Sequence, residues 1–149
     1  MITVMSTRIQ KGFTLIEVMI VVVILSILAA IIVPKIMERP EQARITGAKA
    51  DIRTLETALN LYRLDNHQYP STDQGLEALV TKPSGDPEPK NWKEDGYIPR
   101  MPKDPWGNPY QYLYPGEKME FDLWSMGSDG QPGGEGTAAD IGNWNLQDK

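Results

Sequence analysis

The chain has 149 residues, of which 40% are hydrophobic, 23% are charged and none is cysteine. The lack of cysteine excludes disulfides, thiolate zinc sites, a cysteine nucleophile and lipid attachment through cysteine. The formal net charge is −5; residues 1–12 hold +2 of it, so residues 13–149 carry −7 (−5 − 2), which argues against nucleic acid as a partner because phosphate binding needs clustered Lys and Arg.

An apolar segment occupies residues 13–33. Its 21 residues are long enough, at about 1.5 Å per helical residue, to cross a hydrocarbon core of about 30 Å. The basic residues before it predict that the amino end lies in the cytoplasm. The run is longer than the apolar region of a cleaved secretory signal, and Ala29-Ala30 is followed by a poor cut site. A plain single-span anchor explains this length but not the acid Glu17 within the run, whereas a segment cut on the cytoplasmic side, before the run, explains both.

One carboxylate, Glu17, lies inside this apolar segment. A lone acid at that depth costs roughly 2.5–3.5 kcal/mol and is functional by default. The chain supplies no partner within helical reach, because Lys11 lies six positions back. We therefore expect Glu17 to pair with a positive charge on another copy of the chain, and we interpret it as an assembly residue.

The helix is predicted to continue past Pro34, a helix-interior proline that bends or loosens it, and to be amphipathic over residues 34–65. Apolar residues recur there at spacings of three and four, which is the pattern of one helix face. They are Ile45, Ala48, Ile52, Leu55, Leu59 and Tyr62. We expect this stripe to pack on a globular domain formed by residues 66–149.

The predicted domain is α+β. Ser71 and Gln74 have the spacing of a capping box and predict a short helix over 72–80, after which residues 81–96 form an irregular loop rich in Pro and Gly. The segment 104–109 predicts a tight turn before a strand. Alternation at Tyr110, Tyr112 and Tyr114, and again at Met119, Phe121 and Leu123, predicts a hairpin whose turn is 115–118.

The segment 125–144 contains six glycines and three acidic residues. It is too poor in apolar side chains to order itself by burial. It is therefore either unstructured or held by a polar ligand. Backbone carbonyls and aspartates without His or Cys suit calcium, although the EF-hand pattern is missing.

The leader junction resembles that of type IV pilins and type II secretion pseudopilins. The residues that carry the resemblance are Gly12-Phe13-Thr14-Leu15-Ile16-Glu17 and the apolar run after them. The resemblance implies that a prepilin peptidase cuts after Gly12 and methylates the new amino terminus at Phe13. It also implies that Glu17 of one subunit faces the amine of a neighbour. Residues 1–12 would then be a cleaved leader, and residues 13–33 a span that moves from membrane lipid to a filament core.

Further motifs are similar to those of type II secretion major pseudopilins. They are Tyr62-Arg63-Leu64-Asp65-Asn66 with Tyr69-Pro70, then Gln74-Gly75-Leu76-Glu77-Ala78-Leu79, Asp104-Pro105-Trp106-Gly107 and Asp140-Ile141-Gly142-Asn143-Trp144. The resemblance implies a pilin-like fold, in which a long amino-terminal helix packs on a small antiparallel sheet. It also implies a single-pass protein of the bacterial inner membrane whose domain lies in the periplasm.

The same resemblance implies one calcium ion in the glycine-rich loop. Asp129 and Asp140 match side-chain ligands, and Met126 and Gln131 match carbonyl donors. Some relatives place two aspartates before the Ile-Gly-Asn-Trp run, whereas this chain has Ala139 at the first position. The ligands around residues 134–136 are not assigned.

The expected function is that of the major subunit of a secretion pseudopilus. The chain would form a helical homo-oligomer, work with minor pseudopilins and an inner-membrane assembly platform, and help to drive folded proteins across the outer membrane. The alternatives are a type IV pilin of a surface filament and a monomeric membrane-anchored binding domain. No nucleophile elbow or phosphate-binding loop is present, so we do not expect an enzyme. The four tryptophans could form a sugar-binding face, but core packing is favoured for most of them.

Overall fold

The computed structural model describes residues 12–148, and within this range it leaves the side chains of residues 33–38 undescribed. The leader predicted for residues 1–12 therefore lies outside the described residues, apart from Gly12. The chain divides into two compact units, with the boundary between Arg39 and Pro40.

Among the described residues, the first unit contains the start of one long helix. Helix α1 spans Leu15–Asn66, 52 residues in all. Its stretch Leu15–Ile32 has a mean hydropathy of 3.1, so it is long and apolar enough to cross a membrane. None of those 18 residues is buried within the structure.

The second unit contains the hydrophobic core. The predicted stripe is confirmed, because Ala48, Ile52, Leu55, Leu59 and Tyr62 are each at most 1% exposed and Ile45 packs against the cluster at partial burial. Residues from the rest of the unit close the core from the other side, namely Tyr69, Leu76, Leu79, Ile98, Tyr110, Phe121, Leu123 and Ile141. Burial of this apolar surface is the main stabilising term of the unit.

The short helix predicted over 72–80 is shorter than expected and is a 3₁₀ helix, not an α-helix. Ser71 and Gln74 do exchange the two hydrogen bonds of a capping box, with N–H to side-chain distances of 3.0 and 3.2 Å. Gly75 then takes φ 62° and ψ −169°, which breaks the turn, and only a 3₁₀ helix over Leu76–Leu79 follows. A residue without Cβ adopts such a backbone at little cost, so the capping box closes a turn instead of starting an α-helix. Residues 81–96 contain no helix or strand, as predicted.

The sheet has three antiparallel strands in the order β1-β2-β3: β1 is Gln111–Leu113, β2 is Asp122–Ser125 and β3 is Ile141–Gly142. Tyr112 pairs with Leu123 between β1 and β2, and Ser125 pairs with Ile141 between β2 and β3. The long helix and small antiparallel sheet confirm the predicted fold class. Strand β3 was not predicted, since two residues give too short a pattern to recognise.

The connection between the two strands of the hairpin is longer than the predicted turn, 115–118. Residues 114–121 join the two strands, and Met119 lies in the connection with 46% of its surface exposed. The cause is Asp122, whose carboxylate accepts N–H bonds from Glu117, Lys118 and Met119 at 2.8–3.2 Å. Satisfying those backbone donors with one side chain replaces the strand pairing that residues 118–121 would otherwise need.

Candidate assembly and metal sites

The amino-terminal residues predicted for processing are accessible. The position of a Cβ on Gly12 would meet no atom within 4 Å. Phe13 is 87% exposed. Helix α1 begins two residues later, at Leu15. A backbone without a side chain at this point lets a protease approach closely.

Glu17 has a partner within its own chain, which corrects the sequence-based expectation. Its Oε2 accepts the Thr14 N–H at 2.9 Å and the Thr14 hydroxyl at 3.1 Å. The Glu17 N–H in turn donates to Thr14 Oγ1 at 3.3 Å. This is a capping box, and the spacing Thr-x-x-Glu before an apolar run is the signal that could have revealed it. Thr14 is therefore a residue that the sequence analysis missed.

The bonds from Thr14 leave the charge of Glu17 uncompensated. Both donors are neutral groups. The amino end of a helix favours a carboxylate, so the box stabilises the start of α1. A neutral hydrogen bond does not remove the cost of holding a charge in lipid. A cation from another copy would therefore still lower the energy of this group.

The glycine-rich segment is a closed loop. Its two ends are joined because β2 pairs with β3, with Trp124 opposite Gly142 and Ser125 opposite Ile141. Residues 126–140 lie between these strands and include two short 3₁₀ helices, Gly127–Asp129 and Gly136–Ala138. The sequence predicted that the loop is either unstructured or held by a ligand. The structure shows a third possibility, because the pairing of β2 with β3 fixes the base of the loop.

All four predicted ligand residues lie on this loop. Met126 directly precedes the first 3₁₀ helix. Asp129 is the last residue of that helix, and its Oδ1 accepts the N–H of Gln131 at 3.0 Å. Asp140 lies at the other end of the loop, where its Oδ2 accepts the Gly133 N–H at 3.0 Å. Asp129 thus orders its local turn, and Asp140 ties the end of the loop to its middle, each through a backbone N–H.

Asp140 has one oxygen that suits a cation. Its Oδ1 is buried and has no hydrogen-bond partner among the described residues. A buried carboxylate oxygen without a partner is costly, and a bound cation would satisfy it. Its backbone carbonyl accepts the Asn145 Nδ2–H at 3.1 Å, and Asn145 Oδ1 accepts the Gly142 N–H at 2.8 Å. Asn145 therefore fixes Asp140, a role that the sequence did not reveal.

Within residues 12–148, no group of three or more His, Cys, Asp or Glu side chains could hold a metal. A site in this loop must therefore combine few carboxylates with backbone carbonyls. Calcium accepts such mixed oxygen ligands. The chemistry of the loop fits the predicted ion, while the individual ligands remain predictions.

The tryptophans divide into two pairs. Trp92 and Trp106 pack against the core. The Nε1–H of Trp92 donates to the Ala78 carbonyl at 2.8 Å, and that of Trp106 donates to the Glu41 carboxylate of α1 at 3.2 Å. Trp124 and Trp144 contact each other, with ring centroids 6.0 Å apart. No sugar-binding face formed by all four is therefore present in the described residues.

Two family models match this chain. The model described as type II secretion system (T2SS), protein G, matches residues 35–144. The model described as prokaryotic N-terminal methylation motif matches residues 7–33. The two matches are consecutive and together span most of the sequence.

Curated relatives and a solved structure agree with these matches. The chain is 63% identical over 140 residues to type II secretion system core protein G of Pseudomonas aeruginosa, covering 94% of this chain and 99% of that protein. It is 62% identical to the protein of the same description from Vibrio cholerae, covering 95% of this chain and 96% of that protein. The crystal structure of the major pseudopilin from the type 2 secretion system of enterohaemorrhagic Escherichia coli superposes with a TM-score of 0.67 at 49% identity, covering 73% of this chain and 93% of that chain.

Proposed function

The chain belongs to the type II secretion system protein G family, and from this membership we propose that its copies polymerise into a pseudopilus in the periplasm. This is a family of structural pseudopilins and not of enzymes. The filament would help to drive folded proteins across the outer membrane. Its subunits would be joined by minor pseudopilins and an inner-membrane assembly platform.

The observation that carries this proposal is the uncovered apolar start of α1. The large hydrophobic residues of Leu15–Ile32 are between 48% and 80% exposed. Leaving this surface in water is strongly unfavourable, so it needs an apolar environment. Lipid provides that environment before assembly, and the same segments of neighbouring copies provide it in the filament.

The processed chain begins at Phe13 in this proposal. A prepilin peptidase removes residues 1–12, and the new α-amine is protonated near neutral pH. The protein is anchored in the bacterial inner membrane by one span, and its second unit lies in the periplasm. Glu17 of one copy pairs with the Phe13 amine of the next, and this pairing sets the register between subunits.

The test replaces Glu17 by Gln in a strain that carries the rest of the secretion machinery. Mass spectrometry should show that the wild type and the variant both begin at Phe13 and are one methyl group heavier than the unmodified chain. Only the wild type should give filaments that sediment after shearing. Glu94→Gln, which removes an exposed acid from the second unit, is the matched control and should leave filaments intact.

Cysteine cross-linking gives a second measurement. The chain has no native cysteine, so single cysteines introduced in the apolar span report only contacts between copies. Ladders of cross-linked subunits should appear for the wild-type background and disappear with Glu17→Gln. Unchanged ladders and filaments in that variant would refute the assembly role of Glu17. Absence of ladders and filaments in the wild-type background itself would favour the monomeric anchored domain.

The glycine-rich loop is the proposed site of one calcium ion. Asp129 and Asp140 would supply carboxylate oxygens, and Met126 and Gln131 would supply carbonyl oxygens. The supporting observation is the buried, unpaired Oδ1 of Asp140. Calcium would neutralise this charge and tie the two arms of the loop together, so its binding energy would add to the stability of the fold.

Thermal unfolding of the processed chain in detergent tests the metal. Calcium at about 100 times its Kd should stabilise the protein by about 2.7 kcal/mol relative to a chelator. Asp140→Asn and Asp129→Ala should each abolish that difference. Glu117→Gln, outside the loop, should keep it. A wild-type melting temperature that is the same in calcium and in chelator would reject the site.

A further inference from the structure

We propose that Asp104 and Ser125 are positioning residues that hold the metal loop in its binding geometry before the ion arrives. This inference rests on the calcium site proposed above. Neither residue is among the predicted ligands. Both are buried, with 4% and 0% of their surfaces exposed, and a hydrogen bond between them links the turn 104–109 to the start of the loop.

The carboxylate of Asp104 organises its own turn first. Its Oδ1 accepts the N–H groups of Trp106 at 3.1 Å and Asn108 at 2.8 Å. The Gly107 N–H closes the turn by donating to the Asp104 carbonyl at 2.9 Å. One oxygen of the carboxylate is therefore committed to the turn, and the other, Oδ2, remains for a contact outside it.

That contact is the hydroxyl of Ser125, the last residue of β2. Ser125 Oγ–H donates to Asp104 Oδ2 at 2.7 Å. A hydroxyl has one proton and two lone pairs. Because the carboxylate takes the proton, a lone pair of Oγ is free to accept the Gly127 N–H, which lies at 3.1 Å. The negative charge of Asp104 thus fixes the direction of both hydrogen bonds.

The loop has a first arm that leaves β2 and a second arm that enters β3, and the two arms meet at Gly127. It adopts φ +70°, and a Cβ there would lie 2.7 Å from the Ala139 carbonyl oxygen and 3.0 Å from the Ala138 carbonyl carbon. The backbone of one arm is therefore packed directly on the backbone of the other. Met126 lies next to this contact on the first arm, and Asp140 lies next to it on the second.

The same turn lies close to the loop at a second point. The position of a Cβ on Gly130 is 3.2 Å from Nδ2 of Asn108, and the backbone N–H of Asn108 donates to Asp104. Asp129 lies between Gly127 and Gly130. The turn 104–109 is therefore linked to one end of the segment 127–130 through Ser125 and lies beside its other end. A loop ordered in advance does not lose that conformational entropy when it binds the ion, so its affinity is higher.

The test measures calcium affinity by titration calorimetry on the processed chain in detergent. Ser125→Ala removes both hydrogen bonds of the hydroxyl, and Asp104→Asn keeps an acceptor for the turn but presents an N–H₂ group to Ser125. Each should weaken calcium binding roughly 10–100-fold, the usual effect of losing an outer support of a metal site. The double variant should lose no more than the worse single variant, since both act through Gly127.

The control separates positioning from general destabilisation. Ile52→Val shortens a fully buried side chain of α1; it should lower the melting temperature and leave the calcium Kd unchanged. If Ser125→Ala binds calcium as tightly as the wild type while Asp140→Asn does not bind, the positioning role is overturned and the calcium site stands. If the wild type binds no calcium, the site and this role are both rejected.

Hydrogen exchange on the wild type provides a measurement that needs no variant to fold. The Gly127 amide should remain protected in chelator, because its acceptor belongs to the protein and not to the ion. The amide of Thr137, on the exposed part of the loop, serves as the reference. Exchange of Gly127 as fast as that of Thr137 in chelator would show that the loop is not held in advance.

Discussion

Asp122 offers the most detailed test of the fold. Asp122 is 3% exposed, and its carboxylate accepts N–H bonds from Glu117, Lys118 and Met119, which hold the connection between β1 and β2. Burial alone would raise the pKa of Asp122, but these N–H bonds and the charge of Lys118 outweigh it and hold the pKa below its ordinary value. The folded state therefore favours the ionised form.

The expected magnitude follows from the bonds lost. Hydrogen bonds to a charged group contribute about 1.5–3 kcal/mol each. The three donors share two oxygens, and 46% exposure of Met119 lets water replace part of the loss, so Asp122→Ala should cost about 3 kcal/mol in total. Asp122→Asn retains one acceptor oxygen and should cost about half as much. For a unit of this size these losses correspond to roughly 12 and 6 °C in melting temperature.

The assay is thermal unfolding followed by near-ultraviolet circular dichroism, at pH values from 7 down to 2. A carboxylate with a lowered folded pKa stabilises the fold fully above its unfolded pKa, about 3.9, and this stabilisation disappears as the pH falls through the folded pKa. The difference in melting temperature between wild type and Asp122→Asn should therefore be constant from pH 7 to about 5 and shrink below about 4. Asp95→Asn, at an exposed position, should show no such difference at any pH. Equal melting temperatures for wild type and Asp122→Asn at pH 7, or a difference at pH 2 as large as that at pH 7, would contradict the reasoning.

Two further predictions use matched pairs of positions. Leu59→Ala, at a site with 0% exposure, should cost about 2–5 kcal/mol in unfolding free energy, whereas Leu64→Ala at 73% exposure should change it by less than about 0.5 kcal/mol; equal effects would contradict the assigned helix face. Gly133 and Gly134 both have positive φ, but only at Gly134 would a Cβ meet another atom, the Ala138 carbonyl oxygen at 2.4 Å. Gly133→Ala should therefore cost about 1–2 kcal/mol and Gly134→Ala a further 1–3 kcal/mol or so, and similar melting temperatures for the two variants would refute the packing of the loop.

The parts of the fold that were predictable depend on repeated local patterns. The stripe from Ala48 to Tyr62 recurs over four helical turns, so its period identifies both the helix and its buried face. The helix end at Asn66 and the turn at 104–109 follow from local residue types in the same way. The late start of β2 at Asp122 was not predictable. The Asp122 carboxylate binds the backbone N–H groups of three residues before it, so these residues do not pair with β1. No periodic signal marks a side chain that replaces strand pairing.

In the candidate sites, too, the features with a local pattern were predictable and the long-range contacts were not. Glu17 stands out in sequence because it interrupts an apolar run, but its bonds with Thr14 depend on a short motif that is common at helix starts. The residues around the metal loop were hidden for another reason. Ser125 contacts Asp104 across 21 positions of sequence, and Gly127 is joined to this pair only through the Ser125 hydroxyl. A long-range contact between single polar residues leaves no pattern along the chain.

The hydrophobic core of the second unit is built from side chains of residues 45–146, all of which lie within that unit. A fragment that begins at Pro40 would therefore carry every side chain of this core. Burial of those side chains would supply the main driving force for folding of the fragment without the apolar segment.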